Sequence, residues 1–265
     1  MELPTLTDRL DERLDTDAYA DVDASANGLQ VGPGDLSRTE RDSSPAVDRV
    51  AFAVDAAAAT IEDAAAAGAD LLVTHHGLVW GGLDRVTGRE YENVAALVEN
   101  DLSLYVSHLP LDGHQELGNA AGLADYLDLD ADTREPFGSL GPVTIGQRGR
   151  ASDAYGVAEL RERLAGLDTG GRAPQVLDFG PDEIRDIAIV TGSGADWLGE
   201  AADAGVDALV TGEGKQQAYH EAREAGVHVF LAGHYATETF GVESLADLVS
   251  EWGLATTVLE DPTGL

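Results

Sequence analysis

Strand-length apolar runs alternate along this chain with alanine-rich amphipathic stretches, and that alternation restricts it to an α/β architecture. Val50 to Val54 and Asp70 to Thr74 read as strands, separated by a helix over Ala56 to Ala67 that ends at Gly68. Glu90 to Asn100 reads as a helix, Leu102 to Ser107 as a strand and Leu117 to Leu127 as a helix. An amphipathic helix is expected near residues 5–15, and a polar exposed turn over 35–46. Strand–helix alternation of this kind predicts mostly parallel sheets. It fades between 128 and 182, where glycine and proline are frequent. There Pro142 to Gln147 and Ala173 to Phe179 read as strands around a helix over Ala154 to Leu164.

The alternation resumes with Ile187 to Gly192, a helix over Asp196 to Ala204, strand Ala208 to Thr211, helix Gln216 to Ala225 and strand Val227 to Leu231. A helix over Glu238 to Glu251 and a strand over Thr256 to Leu259 close the chain. The expected organisation is an N-terminal α/β lobe over 1–127, a middle segment over 128–182, and a C-terminal α/β lobe over 183–265 that contributes to the same site. The halves share a pattern, Leu72-Val73-Thr74-His75 against Leu209-Val210-Thr211-Gly212; as a sign of internal repetition it is weak.

Composition narrows the function. The formal net charge is −33, from 49 acidic and 16 basic residues, and Lys215 is the only lysine. The acids are spread between well-patterned apolar segments, which reads as adaptation to high salt: at molar ionic strength the Debye length falls to roughly 3 Å and self-repulsion is screened. The same charge disfavours nucleic acid as a partner. There are no cysteines, so disulfides, thiolate metal sites and cysteine nucleophiles are excluded, and any metal must be held by nitrogen and oxygen. No run approaches a membrane span, and Met1-Glu2-Leu3-Pro4 lacks a basic leader, so a soluble cytoplasmic protein is expected.

Chemistry-bearing side chains gather where strands end, the usual place for ligands in open α/β sheets. His75 and His76 close the run Leu71-Leu72-Val73-Thr74. Adjacent side chains on an extended chain face opposite ways, so the pair suits two metals lying close together better than one. For a lone histidine, a core or capping role would be the default. His234 and Glu238 are four apart before an amphipathic stretch, and on a helix beginning near His234 they would share a face. A helix N-terminus that merely favours Glu238, with Thr237 as its cap, accounts for this pair equally well. His108 and Asp112 are also four apart, but Pro110 predicts a loop between them; Asp112 would be the oxygen ligand, and His108 either a ligand or a group that orients one. His114 reads as an exposed loop residue, and His220 and His228 as structural, with His220 near enough in sequence to Gly212-Glu213-Gly214-Lys215 to line the site. Gly192-Ser193-Gly194 reads as an ordinary tight turn. Lys215 is a candidate for phosphate contact, and Glu213 for an acid–base or positioning group.

Taken in order, Asn27-Gly28-Leu29-Gln30-Val31-Gly32, Thr74-His75-His76-Gly77-Leu78, His108-Leu109-Pro110-Leu111-Asp112, Thr211-Gly212-Glu213 and Gly233-His234-Tyr235 with Glu238 resemble the GTP cyclohydrolase 1 type 2 family of dinuclear-metal proteins, also called Nif-three-like. The resemblance runs through nearly the whole chain. It implies a Nif-three-like fold of two related α/β lobes, with His75, His76, Asp112, His234 and Glu238 as metal ligands and His108 at the same site. It also implies a homohexamer, a trimer of dimers. Leu109-Pro110 stands where family members often have threonine and another small residue, and the short middle segment leaves no room for a large inserted domain.

The expected function is a metal-dependent hydrolase holding two divalent ions (zinc, iron or manganese) and acting on a small nucleotide-like or phosphorylated substrate, with GTP cyclohydrolase-like activity included. The competing readings are a non-catalytic metal-binding scaffold or regulatory protein, and, more weakly, a metal-free α/β binding protein that uses its glycine turns.

Overall fold

Leu71, Leu72 and Val73 are fully buried in the computed structural model, which describes residues 1–34 and 45–265; most of the polar turn expected over 35–46 lies outside them. A continuous apolar run of this kind belongs to a strand covered on both faces. Here it is β3 (Leu71–His76), the central strand of a five-stranded sheet ordered β1 (Gly28–Val31), β4 (Ser103–Val106), β3, β2 (Arg49–Asp55), β11 (Ala255–Val258). All neighbours are parallel except β1 and β4. The helices α2 (Ala58–Ala66) and α3 (Arg89–Glu99) pack Ile61, Ala64 and Leu97 against Ala51, Ala53, Leu72, Leu104 and Val106. Each buried leucine or isoleucine contributes about 1.5–3 kcal/mol. A further helix, α1 (Leu3–Leu14), buries Leu3, Leu6, Leu10 and Leu14 at 3–4-residue spacing.

These elements make one compact unit, Met1–Leu111 with Val242–Asp261; Asp112–Gly241 with Pro262–Leu265 make another. The second unit holds a six-stranded mixed sheet ordered β5 (Glu135–Leu140), β6 (Val143–Tyr155), β8 (Ile184–Ile189), β9 (Ala208–Thr211), β10 (His228–Leu231), β7 (Gln175–Leu177). Only β8, β9 and β10 run parallel. The strands of 128–182, set apart by their glycine-rich texture, lie in this same sheet. Its core is built from Ile184, Ile187, Ile189, Val210 and Phe230 with Leu123 of α5 (Asn119–Tyr126), Leu127 just past its end, and Leu160 and Leu164 of α6 (Val157–Leu164). Two more helices, α7 (Leu198–Ala204) and α8 (Gln216–Ala225), end at Gly205 and Gly226, both left-handed.

Each sheet thus has a parallel trio, β2-β3-β4 and β8-β9-β10, with a buried threonine, Thr74 or Thr211, near the end of its middle strand. That is the structural content of the likeness between the halves.

Where a loop was expected at His108 to Asp112, the chain forms a short helix, α4 (Leu109–Gly113). Pro110 sits in its first turn, where the missing N–H has no intrahelical partner to lose and the fixed φ suits the helix. Likewise, a short helix α9 (His234–Thr237) precedes α10 (Thr239–Glu251), so Glu238 stands between two helices and not at the start of one. Among the described residues no helix is long and apolar enough to cross a membrane.

Candidate metal centre

In the first unit, three adjacent parallel strands end in polar groups. In register, Asp55 of β2 lies opposite His76 of β3, and β4 runs out through Ser107 to His108. His75 is fully buried, and its Nδ1 donates to the Ser107 carbonyl at 3.0 Å. The Nδ1 of His76 donates to Asp55 Oδ1 at 2.8 Å, and that of His108 to Asp23 Oδ1 at 2.9 Å. A carbonyl or carboxylate can only accept, so each bond fixes the tautomer in which Nε2 carries the lone pair. The three imidazoles each offer a ligating nitrogen, and these lie within 4.8 Å of one another. His75 and His76 do not diverge as neighbours within a strand would: their ring centroids are 4.6 Å apart. The strand ends at His76, where pleating no longer dictates direction, and Asp55 draws its ring into place.

The supports are themselves tied down. The side chain of Asp23 is only 2% exposed and also accepts from Asn27 Nδ2, the Ser25 amide and the Leu109 amide. Burial raises its pKa, but the hydrogen bond and electrostatic attraction of the His108 imidazole, with the Asn27 and Ser25 donors, outweigh burial and hold it below the ordinary carboxylate value. Asn27 Oδ1 accepts from the His108 amide at 2.7 Å. Gln30 Oε1 accepts from the Leu78 and Val79 amides, just past the tandem histidines, and its side chain fills the space where any side chain at Gly77 would lie. Asn27 and Gln30 therefore hold the segments that carry His108, beyond β4, and the tandem histidines of β3.

In the second unit, Asp112 is buried, and its Oδ1 accepts from Asn119 Nδ2 at 2.8 Å and Thr191 Oγ1 at 3.2 Å. Asn119, fully buried, is held in turn by the Gly241 amide. A carboxylate oxygen of Asp112 lies within 4.8 Å of one of Glu238. Glu238 is 3% exposed, and its Oε2 is 3.2 Å from His234 Nε2. His234 Nδ1 is 3.1 Å from Glu213 Oε1, which also accepts from Ser193 Oγ. Burial lowers the His234 pKa, but the hydrogen bonds and charges of Glu238 and Glu213 outweigh it and raise it to about 9. Without metal, His234 is thus an imidazolium between two carboxylates. The Ser193 hydrogen bond, opposed by partial burial and helped by His234, keeps Glu213 below its ordinary pKa.

Gly192 makes room for the pair. Its φ is +56°, its carbonyl accepts from the Gly212 and Glu213 amides and Thr211 Oγ1, and its own amide donates to Thr237 Oγ1. A Cβ there would overlap Glu238 Oε1 and stand 3.0 Å from His234 Nε2. The Gly192 turn, expected to be merely tight, is shaped around two candidate ligands.

Lys215 pairs with Asp196, and His220 is exposed on α8. His228 is buried between the Gly180 amide and the Pro181 carbonyl, a structural role as expected. His114 accepts from the Glu116 and Leu117 amides ahead of α5 and is half-buried, where exposure was expected. Sequence reasoning missed Asp23, Asp55, Asn119, Thr191 and Ser193. Only Asp55 left a signal, a polar residue closing an apolar strand next to β3.

Imidazoles and carboxylates, oriented through their far atoms and with no thiol present, fit zinc, iron or manganese. These buried groups are able to hold metal.

The Duf34/NIF3 (NGG1p interacting factor 3) profile matches residues 1–263. The chain is 57% identical to a protein of Halobacterium salinarum and 40% identical to one of Archaeoglobus fulgidus, both named GTP cyclohydrolase 1 type 2 homolog, with 100% of each chain covered. Among solved structures, the protein ybgI, of unknown function, superposes with a TM-score of 0.88 at 32% identity, and TTHA1606 from Thermus thermophilus with 0.86 at 34%, each over the full length of both chains. With its strand-end imidazoles and carboxylates in place, this chain belongs to the DUF34/NIF3 family.

Proposed function

We propose that the chain is a dinuclear divalent-metal protein in which His75, His76, Asp112, His234 and Glu238 are the ligands, and that it hydrolyses a small nucleotide-like or phosphorylated substrate. The observation that carries this is the shared orientation of His75, His76 and His108: each Nδ1 donates to an oxygen acceptor, so each neutral ring presents Nε2. Unsupported structural histidines have no reason to agree in this way. His108 and Asp112 are only four residues apart in the chain. Two divalent ions held there would lower the pKa of a water and polarise a carbonyl or phosphoryl oxygen. On this reading Glu238 serves both ions, Glu213 orients His234, and His108 faces the substrate from the imidazole group. The protein works in the cytoplasm of a halophile as a homohexamer; its likeness to the Halobacterium protein supports the salt adaptation.

The test is turnover of GTP and a nucleotide panel by metal-loaded protein in molar salt, with Glu238→Ala as control. Metal-dependent turnover lost in the variant supports the hydrolase, including a GTP cyclohydrolase-like one. Stoichiometric metal with no turnover across the panel selects the scaffold or regulatory reading, and absence of metal from active protein refutes both.

A further inference from the structure

Trp80 is 43% exposed, although large aromatic side chains favour the interior and only 6% of this chain is aromatic. Its indole ring lies beside the imidazole group, with centroids 4.9 Å from His108 at an interplanar angle of 76° and 6.2 Å from His76. The contact with His108 is T-shaped rather than stacked face to face, and 43% of the residue stays open to solvent. The ring is also fixed. Trp80 Nε1 donates to the Gly77 carbonyl at 3.0 Å, and the backbone bridges to Ser25. On either side, the Ala26 amide donates to the Val79 carbonyl and the Gly81 amide to the Ala24 carbonyl. Gln30 holds the approach through the Leu78 and Val79 amides. A flat face held in place at the rim of a polar cluster is preorganised, so little ordering is lost when a planar partner docks on it.

We propose that Trp80 is a stacking platform that holds the planar, purine-sized heterocycle of the substrate at the rim of the His75, His76 and His108 group. This rests on the reading of that group as part of a metal centre and names the part of the substrate that binds beside it. An indole offers a bicyclic π-face, and stacking on such a face tolerates any flat base while rejecting a ligand without one. Trp80 is therefore a specificity-determining residue: it selects for the ring and leaves the sugar and phosphate to other groups.

The test compares GMP with ribose 5-phosphate, which carries the same sugar and phosphate without the ring. Both are titrated into metal-loaded full-length protein in molar salt by calorimetry and by tryptophan fluorescence. GMP is expected to bind about tenfold or more tighter than ribose 5-phosphate, in line with base–aromatic stacking, and to quench fluorescence. Trp80→Ala is expected to bring GMP down to the level of ribose 5-phosphate, and Trp80→Phe to recover most of the difference, with metal content and oligomeric size unchanged. GMP binding no tighter than ribose 5-phosphate, no binding of either, or wild-type GMP affinity in Trp80→Ala would overturn the platform. A change of oligomeric size in Trp80→Ala without loss of GMP preference would assign the ring to a subunit contact instead. Absence of metal from the wild-type protein would overturn the metal-centre reading beneath it and is read separately, by elemental analysis.

Discussion

Replacing Gly192 with alanine separates the cost of a backbone conformation from the loss of a metal site. Gly192 has φ of +56° and Gly205, at the end of α7, φ of +71°. An alanine at either position adopts the left-handed region at a cost of roughly 1–2 kcal/mol. For a protein of this size that lowers Tm by about 2–8 °C. The surroundings differ. A Cβ at Gly205 has nothing within 4 Å, whereas at Gly192 it overlaps Glu238 Oε1 and stands 3.0 Å from His234 Nε2. Glu238 is 3% exposed, and relieving the overlap moves its carboxylate from the position in which it meets His234. Two candidate ligands are disturbed, and the loss of metal affinity should reach at least about 100-fold, the upper end of what removal of a mere orienting partner costs. The assay is competition for zinc against a chromophoric chelator in molar salt, with thermal unfolding in parallel. G205A should melt lower with wild-type affinity, and G192A should melt comparably lower with affinity collapsed. Equal metal affinity in the two variants would refute the placement of Glu238 and His234 at the metal.

Asp55→Asn removes the acceptor charge behind His76 while keeping its shape, and should weaken metal binding about 10–100-fold with little change in melting; an unchanged affinity in the chelator assay would remove Asp55 from the site. Metal must displace the proton from His234, whose pKa is about 9 in the metal-free protein, so affinity should rise about tenfold per pH unit as pH climbs towards 9, with proton release seen by calorimetry in buffers of different ionisation enthalpy. By the same linkage, the raised pKa stabilises metal-free protein fully below the ordinary value near 6.5 and that stabilisation is lost as pH rises through 9, so metal-free protein should melt lower at pH 9.5 than at pH 6, beyond any change shown by H234Q. The net charge of −33 predicts a Tm that climbs steeply with salt up to molar concentrations; a flat profile would contradict the salt adaptation.

The strands and helices were legible because the apolar periodicity of the parallel trios is strong: β9 and α8 begin and end where the pattern places them. What escaped was local or long-range. Pro110 argued for a loop until its place in a first turn removed the objection. Strands β1 and β5 carry too few apolar residues to stand out, and only their partners β4 and β6 make them strands. At the site, imidazoles at strand ends are visible because histidine is rare here, but their supports are not. Asp23 and Asp55 are two of 49 acidic residues, and nothing in the chain marks which carboxylate meets an imidazole 85 or 21 positions away. The Gly192 turn was visible as a turn, but its purpose depends on Glu238, 46 residues further on, and becomes clear only when the two are close.

Metal stoichiometry of the purified protein and of Glu238→Gln, by elemental analysis in molar salt, tests the central proposal most directly. Two divalent ions per chain are expected in the wild type, falling below one in the variant because a single carboxylate serves both. Wild-type protein without stoichiometric metal, or a variant that keeps both ions, would contradict the dinuclear centre.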